Sequence, residues 1–188
     1  MTKRYSNIIG FDDAPFEHTH QGPVKIIGTI FSSLQLTGVV MGEVKKDGED
    51  AAAVLTNLIA HSRFREHLQL IMLQGIALAG FNVVDVFYLY QQLNLPVLVV
   101  SRKQPDMLAV EQSLKTQITH GAEKWAIIER LGPVEPAASV YMQRVGLTIA
   151  EGQAVIKRFA THSHIPEPLR VAHLIAGAVG RGESKGRP

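Results

Sequence analysis

Ile8-Ile9-Gly10-Phe11-Asp12-Asp13-Ala14-Pro15-Phe16 is an apolar strand that runs straight into two carboxylates and stops at a proline. A strand alternates its side chains between two faces, so adjacent Asp12 and Asp13 cannot both point into one site without a bulge or bend. One is a candidate ligand; the other caps or orients. The competing reading is a plain polar strand exit, because aspartate suits turns and Pro15 ends the ladder.

Working outward, residues 17–23 form a polar connection containing His18 and His20, a pair more often solvated than metal-bound. Residues 24–31 and 36–44 are β-rich runs separated by a few polar residues, which predicts a hairpin and three neighbouring antiparallel strands. Asp47-Gly48 supplies a turn, and Asp50 stands at the N-cap of a helix over residues 51–60, a position that needs no catalytic role. Residues 68–73 form a strand ending at Gln74-Gly75. Gly80-Phe81-Asn82 then leads into a helix over residues 83–90, with Asn82 as its cap and Asp85 in its first turn. Residues 96–101 make the next buried strand, ending at Arg102-Lys103, and Pro105-Asp106 opens a helix reaching about residue 118.

Strand, helix, strand, helix, strand is the pattern of parallel crossovers with helices covering the sheet. Following an antiparallel meander, it predicts an α/β fold with a mixed sheet. Sites in such sheets gather beyond the carboxyl ends of strands, and those ends carry Asp12, Gln74, Arg102 and Lys103. In the last third, residues 125–130 read as a further strand, and an apolar segment spans residues 140–147. Thr148 with Glu151 forms a capping box that opens a helix to about residue 160. A final helix starts near Pro166. One domain over residues 1–180 is expected, followed by a flexible basic tail over 181–188.

The 188 residues are 46% hydrophobic, enough for a real core, and the net charge is only +2, so any nucleic-acid footprint must be local. The absence of cysteine removes disulfides, thiolate metal sites and cysteine nucleophiles, and suits the cytoplasm. No targeting segment and no apolar run of membrane-spanning length is present, so no membrane association is expected. Nor is there a Walker-type phosphate loop, a Gly-x-Ser-x-Gly elbow or a dinucleotide fingerprint.

Five ordered segments carry a resemblance across nearly the whole chain. They are residues 10–16, Asp47-Gly48-Glu49-Asp50, Gly80-Phe81-Asn82-Val83-Val84-Asp85, Arg102-Lys103-Gln104-Pro105-Asp106, and the run from Pro166 to His173. Together they resemble domain-of-unknown-function family 99, also named endonuclease dU, a relative of endonuclease V. The resemblance implies a ribonuclease H-like fold and a metal-dependent nuclease that incises DNA near a deaminated base, deoxyuridine being the named lesion. Endonuclease V uses a first-strand aspartate, a glutamate at the start of the first helix, an aspartate ending the next strand, and a lysine after the strand beyond. Carried over, these positions are Asp12, Asp50, Gln74 and Lys103. Gln74 departs from the pattern, since an amide oxygen can meet a hard cation but brings no charge. Asp13, Asp47 and Asp85 are the carboxylates available to compensate.

Phosphodiester hydrolysis calls for an oxygen-liganded cation, here Mg²⁺ or Mn²⁺, and stabilisation of the developing charge. The expected catalytic residues are Asp12, Asp50 and Lys103, with Lys103 facing the phosphate. Arg102 would neutralise a flanking phosphate, and His173 would approach from the covering helix layer. The loop containing Phe81 and Asn82 would accept an unstacked base, Phe81 by stacking and Asn82 by its amide. Both also have structural readings, in the core and as a cap. The expected partner is DNA, with RNA left open. The alternative reading is a non-catalytic nucleic-acid-binding or regulatory protein that keeps the fold with an incomplete metal site.

Overall fold

The computed structural model describes residues 4–184. Strands β1 (Asn7–Asp13), β2 (Pro23–Ser32) and β3 (Gln35–Lys45) form the expected antiparallel meander. Helix α1 (Ala51–Ala60) then leads to β4 (Leu70–Gln74), which pairs parallel with β1. A two-stranded ribbon, β5 (Ala77–Leu78) and β6 (Asn82–Val83), precedes α2 (Val86–Leu93) and β7 (Val97–Ser101), and β7 is parallel to β4. Helices α3 (Met107–Gln117) and α4 (Gly121–Leu131) are followed by β8 (Glu135–Ala137) and β9 (Val140–Val145). Helices α5 (Ile149–Phe159) and α6 (Glu167–Arg181) complete the described chain. The main sheet of the described residues has the order β3-β2-β1-β4-β7-β9-β8, with β9 antiparallel to β7. The mixed α/β sheet expected from the sequence is therefore present.

Period-two alternation divides the core between the two faces. Ile9 and Phe11 of β1 join Ile71 and Leu73 of β4 under Leu55 and Ile59 of α1 and Leu89 of α2. Ile8 joins Leu70 and Met72 on the opposite face, under Val155 and Phe159 of α5 and Leu169 of α6. Each of these is fully or almost fully buried, and each such aliphatic side chain contributes roughly 1.5–3 kcal/mol before chain entropy is counted. A smaller cluster of Val83, Leu114 and Ile128 fixes α3 and α4 at the rim.

Several local expectations are corrected. Residues 125–130, expected as a strand, belong to helix α4, whose buried Gly121, Lys124 and Ile128 follow a helical spacing; the strand beside β7 is β9 instead. The helix expected over residues 83–90 starts at Val86. Its cap is Asp85, whose carboxylate accepts from the amides of Phe87 and Tyr88, both at 3.0 Å. Asn82 is not that cap. The Thr148–Glu151 capping box forms as expected. Of the expected tail, Arg181 is still helical, and residues 185–188 lie outside the described residues.

Candidate active site at the carboxyl edge of β1, β4 and β7

Three parallel strands end at one edge of the sheet, bringing Asp12, Asp13, Gln74 and the segment after Ser101 to the same side. Asp12 follows Ile8 and Gly10 on the α6 face, whereas Asp13 follows Phe11 towards the α1 face. Gln74 follows Leu70 and Met72, so it shares the face of Asp12 on the neighbouring strand.

Helix α6 crosses this face in direct contact with β1. A side chain at Gly10 would fall 2.7–2.9 Å from Pro168, and Thr29 donates a buried 2.6 Å hydrogen bond to the Pro168 carbonyl. From Pro168 to His173 the helix advances about 7.5 Å, and from Gly10 to Asp12 the strand advances roughly 6.7 Å. His173 also lies one turn beyond Leu169, which is buried in the core on this face, and its Nδ1 is 2.8 Å from Asp12 Oδ2. Because a carboxylate only accepts, Nδ1 is the protonated nitrogen. The hydrogen bond to Asp12 raises the histidine above its ordinary value, its charge adding to the effect, while burial and Arg181 oppose it. Asp12 is 4% exposed, and its other oxygen accepts from the Asp13 amide at 3.0 Å.

Asp13 is pushed up to about 6, first by burial and then by the charge of Asp12, although the Ala79 amide pulls it down. That amide donates to Asp13 Oδ2 at 2.6 Å. Gln74 Oε1 is buried without a hydrogen-bond partner among the described residues, a costly state for a polar atom in a folded interior. Two crowded carboxylates at the end of β1 and an orphaned amide oxygen at the end of neighbouring β4 are oxygen donors of the kind a hard divalent cation takes. Among the described residues, no three His, Asp or Glu side chains are arranged to hold a metal ion.

The other candidates are placed differently. Asp50 occupies the N-cap position of α1 without capping it. Its carboxylate accepts from the Lys45 amide at 3.1 Å and from Asn82 Nδ2 at 2.7 Å. The cap is supplied by fully buried Asn82, whose Oδ1 accepts from the Ala51 amide at 3.1 Å and whose Nδ2 also donates to the Lys45 carbonyl at 2.9 Å. The Asn82 amide is thereby spent inside the protein and offers no edge to a base. Asp85 is occupied as the cap of α2. Asp47 Oδ1 accepts from the Phe81 amide at 2.8 Å. Arg102 and Lys103 are exposed just past β7.

Phe81 lines a cavity of about 220 Å³, together with Gly75, Gly80, Ser101, Met107 and Gln143. It opens past the ends of β4 and β7, at Gly75 and Ser101. This is below the roughly 300–1,000 Å³ of pockets for drug-sized molecules and suits a single ring-sized group. Gln143 had no local signal in the sequence, because it reaches this wall only through the antiparallel pairing of β9 with β7.

The profile of the family described as endonuclease dU matches residues 4–180. A UPF0215 protein of Deinococcus radiodurans is 48% identical over 184 residues, covering 98% of this chain and 94% of that protein. A crystal structure of a protein of unknown function from Archaeoglobus fulgidus superposes with a TM-score of 0.87 at 30% identity, covering 94% of this chain and 99% of that one. Ciona intestinalis endonuclease V, in complex with a 24mer DNA containing an inosine followed by a ribo-adenosine, has a TM-score of 0.56 at 11% identity, covering 90% of this chain and 83% of that one. The last similarity is one of fold.

Proposed function

This chain belongs to the endonuclease dU family, and on that footing we propose that it is a metal-dependent endonuclease cutting a phosphodiester bond near a deaminated base, deoxyuridine favoured, in DNA. The observation that carries this reading is the His173–Asp12 pair with the raised carboxyl of Asp13 beside Asp12, at the sheet edge where Gln74 also ends its strand. The fold it shares with endonuclease V supports the same reading.

Asp12 and Gln74 Oε1 would hold Mg²⁺ or Mn²⁺, with Asp13 beside Asp12. When bound, the cation supplies charge stabilisation at the scissile phosphate and relieves the repulsion between the carboxylates. His173 keeps Asp12 oriented through Nδ1, and with that nitrogen committed, Nε2 is the atom left to exchange a proton with substrate. Its ring is one-third exposed, which gives substrate access. Lys103 and Arg102 lie at the same edge, where cationic side chains neutralise phosphate oxygens. The cavity beside Phe81 would take the unstacked base.

The test is incubation of a uracil-containing oligonucleotide with the protein and Mg²⁺ or Mn²⁺. Nicking that disappears with EDTA and in Asp12→Ala supports the proposal, and deaminated DNA and RNA left intact would refute it. A second reading, a nucleic-acid-binding protein without cleavage, is favoured by one observation: among the described residues no three His, Asp or Glu side chains are arranged to hold a metal ion. It predicts salt-dependent DNA binding with no site-specific uptake of Mn²⁺ in a calorimetric titration.

A further inference from the structure

Asp47-Gly48 reads in the sequence as a turn, yet its side chain and backbone do more than reverse the chain. Asp47 Oδ1 accepts from the Phe81 amide at 2.8 Å, and the Asp47 amide donates to the Ala79 carbonyl at 2.9 Å. On the opposite side, the Ala79 amide donates to Asp13 Oδ2 at 2.6 Å. Residues 79–81 are thus a strap held from two directions. Asp47 and Ala79 both adopt left-handed backbone angles, φ +53° and +48°, which non-glycine residues leave unless the surroundings hold them there. A side chain at Gly80 would collide with Asp47 Oδ1, so the two segments meet without a gap. Behind Asp47, Lys124 of α4 is 3% exposed and donates from Nζ to the Asp47 carbonyl at 2.6 Å. Burial lowers its pKa, against the charges of Glu49 and Asp47.

We propose that Asp47 is a positioning residue, backed by Lys124, that holds strap 79–81 as one wall of the Phe81 cavity and thereby sets selectivity for the base that enters it. The role of base selection rests on the functional reading above; the clamp itself does not. It also assigns Asp47 away from metal ligation. Gly80 and Phe81 both line the cavity, so loosening the strap widens the space in which a base must stack.

The experiment compares wild type with Asp47→Asn, Asp47→Ala and Lys124→Met, using matched oligonucleotides containing uracil or thymine. Affinity without metal, KM and kcat with Mg²⁺, and amide hydrogen exchange at Ala79 and Phe81 are measured on the same preparations. Asp47→Ala is expected to weaken uracil-DNA binding and raise KM about tenfold, with kcat within about twofold of wild type and thymine-DNA binding unchanged. Exchange at Phe81 should accelerate at least tenfold. Asp47→Asn keeps the acceptor and should restore both readouts, while Lys124→Met should fall between Asn and Ala.

A loss in kcat at unchanged KM, or an Asn variant no better than Ala, would overturn the positioning role and return Asp47 to the ligands. Unchanged exchange in Asp47→Ala would overturn the clamp. Wild-type protein that does not distinguish uracil from thymine defeats the functional reading and the assigned selectivity together. Discrimination retained in Asp47→Ala defeats this inference alone.

Discussion

His173 Nδ1 and Asp12 Oδ2 stand 2.8 Å apart, joining the last helix to the first strand across 161 residues of sequence. Removing the ring leaves a carboxylate that is only 4% exposed without its partner. His173→Ala is therefore expected to cost about 1 kcal/mol of stability, a value discounted for the exposed part of the ring. The folded-state pKa of His173 lies above its ordinary value, so its contribution is complete below the ordinary histidine range and fades as pH rises through the raised value. Urea denaturation of both proteins at pH 5.5 and pH 9 checks this. The gap between them should be larger at pH 5.5, and an equal gap at both would contradict the assignment. Nicking should fall at least about a hundredfold in the same variant, the scale of a lost acid–base group.

Asp13 shifts stability with pH in the same direction as His173 but for the opposite reason, because burial and Asp12 disfavour its charged form. Its carboxyl is pushed up to about 6 from the ordinary 3.8, so the protonated form suits the fold and stability is lost as pH rises through this range. Asp13→Asn keeps an acceptor for the Ala79 amide and removes the charge. At pH 7 without divalent metal it should be more stable than wild type by on the order of 2 kcal/mol, and below about pH 4 the two should match. Thermal melts across pH 3.5–8 provide the measurement, and a gain that persists at the acid end would rule out the titration of Asp13 as its cause.

Gln74→Glu tests the orphaned amide oxygen. A third negative donor should tighten Mn²⁺ binding about tenfold or more in a calorimetric titration. It should also lower stability when no divalent metal is present, since a buried carboxylate then joins Asp12 and Asp13. Equal Mn²⁺ affinity in the variant and wild type would place the cation elsewhere.

Asn82→Ala separates a structural amide from a base-reading one. The variant leaves the Ala51 amide uncapped and removes two donated bonds, to Asp50 and to the Lys45 carbonyl. A loss of about 2–3 kcal/mol in denaturant is expected. Folded variant should keep the wild-type ratio of uracil to thymine affinity. A collapse of that ratio with stability intact would show that Asn82 reads the base.

The parts of the fold legible in the sequence were those with a local periodic cause. Alternating apolar runs marked β1, β2, β3, β4 and β7, and Thr148 with Glu151 marked the start of α5. The expectation failed at residues 125–130, where a short apolar run fits strand or helix equally and only Gly121, Lys124 and Ile128 packing against the rim decides for helix. Asp85 takes the α2 cap expected of Asn82, and Asn82 the α1 cap expected of Asp50, for a similar reason. Either can cap by its chemistry, and the ribbon of β5 and β6 decides which helix end each one reaches.

The same division holds at the site. The sequence by itself determined that Asp12, Gln74 and Lys103 stand at strand ends, because hydrophobic runs and their polar stops set where strands finish, and it carried the family resemblance. Only the tertiary structure decided which of these groups meet. His173 reaches Asp12 because Gly10 lets Pro168 close onto the strand. Asp50 turns to Asn82, and Asp47 to Phe81, because the returning loop offers them amide donors. Hydrogen-bond partners separated by tens of residues are chosen by packing, and local spacing carries no record of that choice.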